Sequence, residues 1–192
     1  MSVLAQALWL ALPVTLAGLT HVEAIQRGVL APLSEIRLDG GLRLRGRPLF
    51  GANKTLRGAI VMIGACMFWT AVVDRLQRGL GLDESLRFIP HEQLGSLALG
   101  LVLGLAYILG ELPNSLLKRQ LDIDPGAPAK GRARRVFWLL DQLDSALAIL
   151  VALSLFRTPS FAFVLALLGL TLAVHPAVAA IMVALGLKDR VG

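Results

Sequence analysis

The sequence predicts an all-α integral membrane protein with about five transmembrane helices. Of its 192 residues, 56% are hydrophobic and only 17% are charged, whereas roughly a quarter of the residues in soluble domains are charged. The apolar residues form five continuous runs, and a membrane β-barrel would instead show alternating polar and apolar positions. The charge lies mostly between these runs, as expected if each run crosses a bilayer.

The five predicted spans cover residues 3–20, 58–73, 94–110, 136–156 and 161–187. The first lacks the positively charged start of a cleaved signal peptide, so it is counted as a span. The fifth contains His175-Pro176, and because proline removes a helical hydrogen bond we expect a tilt, a kink or two half-helices there. We expect residues 1–192 to form a single transmembrane domain, because no loop is long enough to build its own core.

The distribution of lysine and arginine predicts the orientation of the chain. Fifteen of the 19 lie in segments 21–57 and 111–135 or in the C-terminal tail, and four lie on the opposite side. The positive-inside rule therefore places the N-terminus outside, and both long loops and the C-terminus in the cytoplasm. The net charge of +6 follows from this topology and does not indicate nucleic-acid binding. We expect a multi-pass protein of the cell membrane whose functional site lies at the cytoplasmic face.

The first loop, up to Gly58, is rich in glycine and in basic residues. Five cations lie between Arg43 and Arg57, and exposed backbone N–H groups beside such cations suit a phosphate group. The segment Asn53-Lys54-Thr55 directly precedes the second span, so the start of that helix would face the same anion. The alternative is a cationic loop that lies on anionic lipid headgroups.

A second group of polar residues follows the third span, at positions 110–119. Glu111 is an ionisable residue at the edge of a span, and such residues are candidates for function. The alternative is ordinary helix termination, in which Pro113 ends the helix and Asn114 or Ser115 caps a short following helix. Lys118 and the arginine after it would then lie among the headgroups.

The third group is the pair Asp141 and Asp144 inside the fourth span. Residues three apart share one face of a helix, and two unpaired carboxylates there would repel each other and lose hydration. A divalent cation removes both problems. Magnesium carrying a polyphosphate fits, because Mg²⁺ takes one or two carboxylates and completes its shell with phosphate oxygens and water. The alternative is ion pairing with nearby basic residues, namely Arg132, Arg134 or Arg135.

At these three groups the chain resembles the CDP-archaeol synthase family, which are CTP:lipid-phosphate cytidylyltransferases related to phosphatidate cytidylyltransferases. The resemblance lies in three motifs: Phe50-Gly51-x-Asn53-Lys54-Thr55-x-Arg57-Gly58, then Gly110-Glu111-Leu112-x-Asn114-Ser115 with Lys118-Arg119, and Leu140-Asp141-Gln142-x-Asp144-Ser145. The number of spans and the chain length also agree with the family, so the resemblance covers nearly the whole chain.

The resemblance implies a nucleotidyltransferase of phospholipid biosynthesis that converts CTP and a lipid phosphate into a CDP-lipid and pyrophosphate. It implies Mg²⁺ as cofactor, with the metal bound by Asp141, Asp144 and Glu111. The expected catalytic residues are Lys54, Arg57, Lys118, Arg119, Asp141 and Asp144. The expected substrate contacts are Gly51, Asn53, Thr55, Glu111, Asn114 and Ser115.

Other functions remain open at this point. The lipid substrate could be phosphatidate, or the protein could be a CDP-alcohol phosphotransferase, although that class carries more aspartates on two helices. A small transporter or a structural subunit would place ionisable groups along a mid-bilayer pathway. We expect His21, His91 and His175 to lie on different sides or at different depths of the membrane, and His175 to pack between helices.

Overall fold

The computed structural model describes the chain from Ser2 to Ala184, except for the side chain of Met182. Five long helices dominate these residues, and each is long and apolar enough to cross a membrane. They are α1 (Val3–Gln26), α2 (Leu56–Gly79), α3 (Ser96–Gln120), α4 (Ala133–Ser154) and α5 (Phe161–Ala184). The predicted all-α membrane fold is confirmed. The end of the predicted fifth span, Lys188 and Arg190 lie outside the described residues.

Several helices extend beyond their predicted spans. The first three helices end at Gln26, Gly79 and Gln120, because the helical hydrogen bonds continue past the apolar stretch into regions where charged side chains are solvated. Within the predicted loop 111–135, the first ten residues belong to α3, and α4 already begins at Ala133.

Prolines do not end these helices. α3 continues through Pro113 and α5 through Pro176, as α1 does through Pro13. Termination at Pro113 and two half-helices in the fifth span are thus both wrong. A membrane helix tolerates the lost hydrogen bond because neighbouring helices and local adjustments satisfy the freed backbone groups.

The two ends of the helix bundle carry different connections. At one end, the first loop (27–55) and the second loop (121–132) meet, where Arg47 donates to the backbone carbonyl of Gln120 and pairs with Asp122. We call this the long-loop end, after the first loop, which is the longest connection between these helices. At the opposite, short-loop end, the Gln93 side chain donates to the carbonyl of Phe156. Strands β1 (Arg43–Leu44) and β2 (Arg47–Pro48) form a small antiparallel hairpin in the first loop.

Close backbone packing joins α2 to α3. A Cβ atom on Gly100 would lie 2.5 Å from the Cα of Met67, and one on Gly104 would lie 2.7 Å from the Cα of Ile63. Small residues allow such approach in membrane bundles, where van der Waals packing drives helix association. This contact fixes the position of α3, which carries the second polar group of the sequence.

A buried ion pair stabilises the short-loop end. Arg87 pairs with Asp74 of α2, and both side chains are buried. Ser96 at the start of α3 also donates to Asp74, while Arg87 donates to the backbone carbonyls of Ile89 and Leu94. Burial lowers the pKa of Arg87, and Asp74 offsets part of that effect.

Of the two apolar core clusters among the described residues, the larger one reaches this end of the bundle. Leu103, Leu153 and Phe163 are almost fully buried in it, and the Phe163 ring stacks on Phe88 at 4.3 Å. The half of the bundle towards the long-loop end contains a cavity.

Candidate functional site

The cavity has a volume of about 1240 Å³ and lies between α1, α3, α4, α5 and the two loops. Its lining divides into two parts. The polar part includes Asn53, Lys54, Glu111, Asn114, Ser115, Lys118, Arg119, Asp141, Gln142, Asp144 and Ser145. The apolar part comes from α1 and α5 and includes Leu10, Val14, Val22, Leu167, Leu170 and Val174. The cavity thus joins a charged region to a channel of aliphatic side chains.

The carboxylate of Asp39 organises the first loop. It accepts hydrogen bonds from the backbone N–H groups of Gly41 at 2.9 Å, Phe50 at 3.1 Å and Gly51 at 3.4 Å. Burial acts to raise the pKa of Asp39, but these three donors and nearby Arg37 hold it below its ordinary value of 3.8. The buried carboxylate therefore stays ionised and closes the loop ahead of Lys54.

The loop then delivers Lys54 to α3. The Lys54 ammonium forms an ion pair with Glu111, and the two side chains are only 18% and 25% exposed. Asn53 lines the cavity beside it. Thr55 instead caps α2 by accepting a hydrogen bond from the N–H of Gly58 at 3.3 Å.

Three of the predicted residues of the first loop and the start of α2 do not line the cavity: Gly51, Thr55 and Arg57. Gly51 borders it indirectly, because a Cβ atom there would lie 3.1 Å from Nη1 of Arg119. The other nine predicted site residues all line the cavity.

The two aspartates of α4 share one helix face, as their spacing predicts, and that face is turned towards α3. The side-chain nitrogen of Asn114 donates to Asp141 at 2.7 Å and to Asp144 at 2.9 Å. Lys118, one turn further along α3, donates to both carboxylate oxygens of Asp141, at 2.5 Å and 2.7 Å. Lys118 is therefore the ion-pair partner of Asp141, and Asn114 bridges both carboxylates. None of the ion pairs found among the described residues joins an arginine at the start of α4 to either aspartate, so the predicted alternative is wrong.

Gly110 allows this contact between α3 and α4. A Cβ atom on Gly110 would lie 2.6 Å from the Cβ of Ala148 and 2.8 Å from the backbone oxygen of Asp144. Because glycine lacks that atom, the two helix backbones approach closely one residue before Glu111. The helix contact thereby places Glu111 and Asp144 in the same cavity.

The donor set fits a hard cation at Asp141 and Asp144. Both carboxylates lie within hydrogen-bonding distance of a single nitrogen atom of Asn114, and the Oδ1 atom of Asn114 is buried without a hydrogen-bond partner among the described residues. Carboxylate and amide oxygens are ligands that Mg²⁺ accepts, with substrate oxygens and water completing the shell.

Glu111 does not join the two aspartates as a third ligand. The residues that the structure describes contain no group of three or more His, Cys, Asp or Glu placed to hold a metal ion. The carboxylate of Glu111 binds Lys54 instead, although it interacts electrostatically with Asp144. Of the three predicted metal ligands, only Asp141 and Asp144 thus share a hydrogen-bonding partner, Asn114.

Arg119 is a buried cation with unused donors. The residue is only 7% exposed. Its Nε and Nη1 atoms have no hydrogen-bond partner among the described residues. Asp124 provides an electrostatic attraction, but no ion pair within 4 Å joins Arg119 to a described residue. A buried guanidinium is costly without an anion, so this part of the cavity suits a phosphate group.

Sequence reasoning missed the contribution of α1. His21 lines the cavity, and its Nε2 atom would lie 3.3 Å from a Cβ atom on Gly58. His175 of α5 lines the same cavity. His91 does lie apart, at the short-loop end, 3.4 Å from Asp74. No sequence pattern indicated His21, because the predicted first span ended one residue before it.

Three comparisons place the chain among known proteins. A family model described as CarS-like, CDP-archaeol synthase, matches residues 1–191. The curated CDP-archaeol synthase of Thermofilum pendens (strain DSM 2475 / Hrk 5) is 31% identical over 160 residues, which cover 79% of this chain and 64% of the relative. The chain thus spans slightly less than two thirds of that relative's length.

A solved structure shares the fold. It is described as that of an intramembrane enzyme for archaeal membrane lipids biosynthesis, and it matches with a TM-score of 0.63 at 25% sequence identity. The match covers 90% of this chain and 91% of the other. Together with the five apolar helices, it identifies a multi-pass membrane protein. The match of the family model over residues 1–191 confirms the resemblance seen in the three motifs: the chain belongs to the CDP-archaeol synthase family.

Proposed function

We propose that this protein is a CTP:lipid-phosphate cytidylyltransferase of phospholipid biosynthesis. The observation that carries the proposal is one cavity in which cations and carboxylates from the first loop, α3 and α4 adjoin an aliphatic channel. A nucleoside triphosphate and the phosphate group of a lipid need the charged region, and the chains of the lipid need the aliphatic region beside it. Membership of the CDP-archaeol synthase family supports the same reaction.

In the proposed reaction, an oxygen of the lipid phosphate attacks the α-phosphorus of CTP. A new P–O bond joins the two phosphates, the bond to the β-phosphate oxygen breaks, and pyrophosphate leaves. The attacking phosphate is already ionised at neutral pH, so no general base is required. The protein has to position the two substrates in line and neutralise their charge.

Asp141 and Asp144 would hold Mg²⁺, which neutralises phosphate charge and polarises phosphoryl oxygens when it is bound. Lys54 and Lys118 are held here by Glu111 and Asp141, and substrate phosphates would compete for the two ammonium groups. Arg119 would bind a phosphate with the donors that the described residues leave unused. These cations would also offset the charge that grows on the leaving pyrophosphate.

The remaining predicted residues have lesser roles in the proposal. Asn53, Asn114 and Ser115 line the cavity and would contact the substrates directly. Gly51 and Thr55 would act through the loop and the start of α2, and Arg57 would contribute its charge near His21.

The lipid chains would lie in the apolar part of the cavity between α1 and α5. A volume of about 1240 Å³ exceeds the roughly 300–1,000 Å³ of ordinary ligand pockets, which suits two substrates. The aliphatic lining would accept ether-linked isoprenoid chains or, as the alternative, the acyl chains of phosphatidate. We also propose that the long-loop end faces the cytoplasm, because 13 of the 17 lysines and arginines among the described residues lie in its loops or in the helix ends beside them.

Purified protein in lipid nanodiscs tests the proposal. It is incubated with Mg²⁺, α-³²P-labelled CTP and a series of ether-linked and ester-linked lipid phosphates. We expect labelled CDP-lipid and an equal amount of pyrophosphate, with no label in the lipid when γ-³²P-labelled CTP is used. A failure to form CDP-lipid from either lipid class would contradict the proposed function.

A further inference from the structure

Gln142 is a buried polar residue whose side-chain oxygen has no hydrogen-bond partner among the described residues. It lies on α4 beside Asp141, is only 6% exposed and lines the cavity. Its Oε1 atom is shielded from solvent and accepts no hydrogen bond from the described residues. Because a buried amide oxygen without a donor is destabilising, this position suits contact with a ligand that carries an N–H or O–H group.

The proposed lipid substrate does not supply such a donor. In such a lipid, one hydroxyl position of the backbone carries the phosphate and the remaining positions carry the chains. At neutral pH it therefore presents mainly oxygen acceptors and hydrocarbon. Its phosphate suits the charged side chains of Lys54, Lys118 and Arg119, whereas Gln142 is neutral. The nucleotide, in contrast, carries hydroxyl groups on the ribose and a donor edge on the base.

We propose that Gln142 recognises the base of the nucleotide, an inference that rests on the proposed function. Cytosine presents its 4-amino donor next to the N3 acceptor, and a glutamine amide presents an acceptor next to a donor. The same complementary pattern lets glutamine bind the donor–acceptor edge of adenine in DNA. Uracil reverses the pattern, so with the Gln142 amide oriented as in this structure the O4 atom of uracil would face the buried Oε1 atom, acceptor against acceptor.

The test compares kcat/KM for CTP and UTP at saturating lipid phosphate. We expect the wild-type protein to prefer CTP, and Gln142→Leu to lower the CTP:UTP ratio by about 10- to 100-fold, the range for a bidentate contact to a base. The change should appear in the KM for CTP and leave the KM for the lipid phosphate unaltered. Gln120→Leu is the matched control, because Gln120 also has a buried amide atom without a partner but does not line the cavity.

Gln142→Asn serves as a second variant in case the leucine substitution prevents folding. It keeps the amide on a side chain that is one methylene group shorter, so the amide no longer reaches the base. This variant should also lower the CTP:UTP ratio. Nucleotide protection against thermal unfolding, measured with CTP, UTP and dCTP, gives a readout that does not require turnover. The Gln142 variants should lose the extra protection by CTP over UTP.

Two results would overturn the inference. One is an unchanged CTP:UTP ratio in both Gln142 variants while the wild-type protein forms CDP-lipid, which leaves the proposed function intact. The other is an altered preference for CTP over dCTP with an unchanged CTP:UTP ratio, which would assign Gln142 to the ribose. If the wild-type protein transfers no nucleotide to any lipid phosphate, the proposed function fails, and equal protection by CTP and UTP then also refutes base recognition.

Discussion

The Lys54 ammonium and the Glu111 carboxylate form an ion pair that joins the first loop to α3. The two residues are 57 positions apart in the chain, and both side chains are mostly buried. The pair brings a cation of one sequence motif to a carboxylate of the next, inside the cavity where the aspartates of α4 also lie. The position of the first loop relative to the aspartates of α4 therefore depends on this ion pair.

Exchanging the charges of this pair separates structure from catalysis. Lys54→Glu and Glu111→Lys should each lower the Tm, because each leaves two like charges together in a partly buried place. The double variant should recover the Tm but remain about 100-fold or more below wild-type turnover, the scale of a lost electrostatic contact to the reacting phosphates. Thermal unfolding and CDP-lipid formation measure the two effects.

The exposed pair Arg47–Asp122 provides the control for that exchange, since its side chains are 38% and 72% exposed. Its charge-exchanged double variant should retain most of the activity. Recovery of full turnover by the Lys54/Glu111 double variant would show that the pair has a purely structural role.

Asp144→Asn should abolish most turnover without unfolding the protein. The substitution keeps the shape of the side chain but removes the charge that would hold Mg²⁺, so we expect a loss of about 100- to 1,000-fold in kcat. The helical circular dichroism and the Tm should stay close to wild type, and the residual activity should need a higher Mg²⁺ concentration to reach half of its maximum. Glu23→Gln, at an exposed ion pair with Arg27, is the control. Full activity of Asp144→Asn would refute the metal assignment.

Arg119→Met should lower activity without lowering stability. Removing a buried cation whose donors lack partners relieves a desolvation cost, so the Tm should stay unchanged or rise. The KM for CTP or for the lipid phosphate should increase, with kcat/KM falling by about 100-fold. Arg43→Met in the exposed part of the first loop should change neither quantity. A lower Tm together with normal kinetics would mean that Arg119 has a structural role.

The carboxylate of Asp39 should make the order of the first loop depend on pH. Its pKa in the folded protein lies below the ordinary value of 3.8, so the ionised group stabilises the loop at pH values above that value. This contribution is lost as the pH falls through the lower pKa of the folded state. Wild-type amide exchange at Gly41, Phe50 and Gly51 should therefore stay slow at pH 5.

Asp39→Asn removes the charge at every pH. It should speed hydrogen exchange at those three amides and lower turnover by about 10-fold or more, because the loop no longer holds Lys54 in place. Helical content should not change. Asp83→Asn is the control, since Asp83 caps a short turn at the short-loop end. Unaltered exchange in Asp39→Asn would contradict the proposed role of this carboxylate.

Local patterns predicted much of the candidate site. The spacing of Asp141 and Asp144 correctly placed both carboxylates on one helix face, and the motifs around Lys54 and Asn114 correctly indicated residues that line the cavity. Patterns failed where structure depends on contacts between helices. Pro113 was compatible with a helix end, and only packing against neighbouring helices shows why α3 continues.

The sequence alone predicted that the protein lies in a membrane, that it has about five membrane-spanning helices and that three polar motifs are candidates for function. Hydropathy and residue spacing are properties of the chain taken in order, so they can be read without coordinates. The tertiary structure decided that Lys118 binds Asp141 and that Gln142 and His21 face the same cavity. Those relationships depend on how each helix is rotated and on how closely its backbone approaches its neighbour. At Gly110, for example, the backbone of α3 approaches α4 closely because glycine has no side chain.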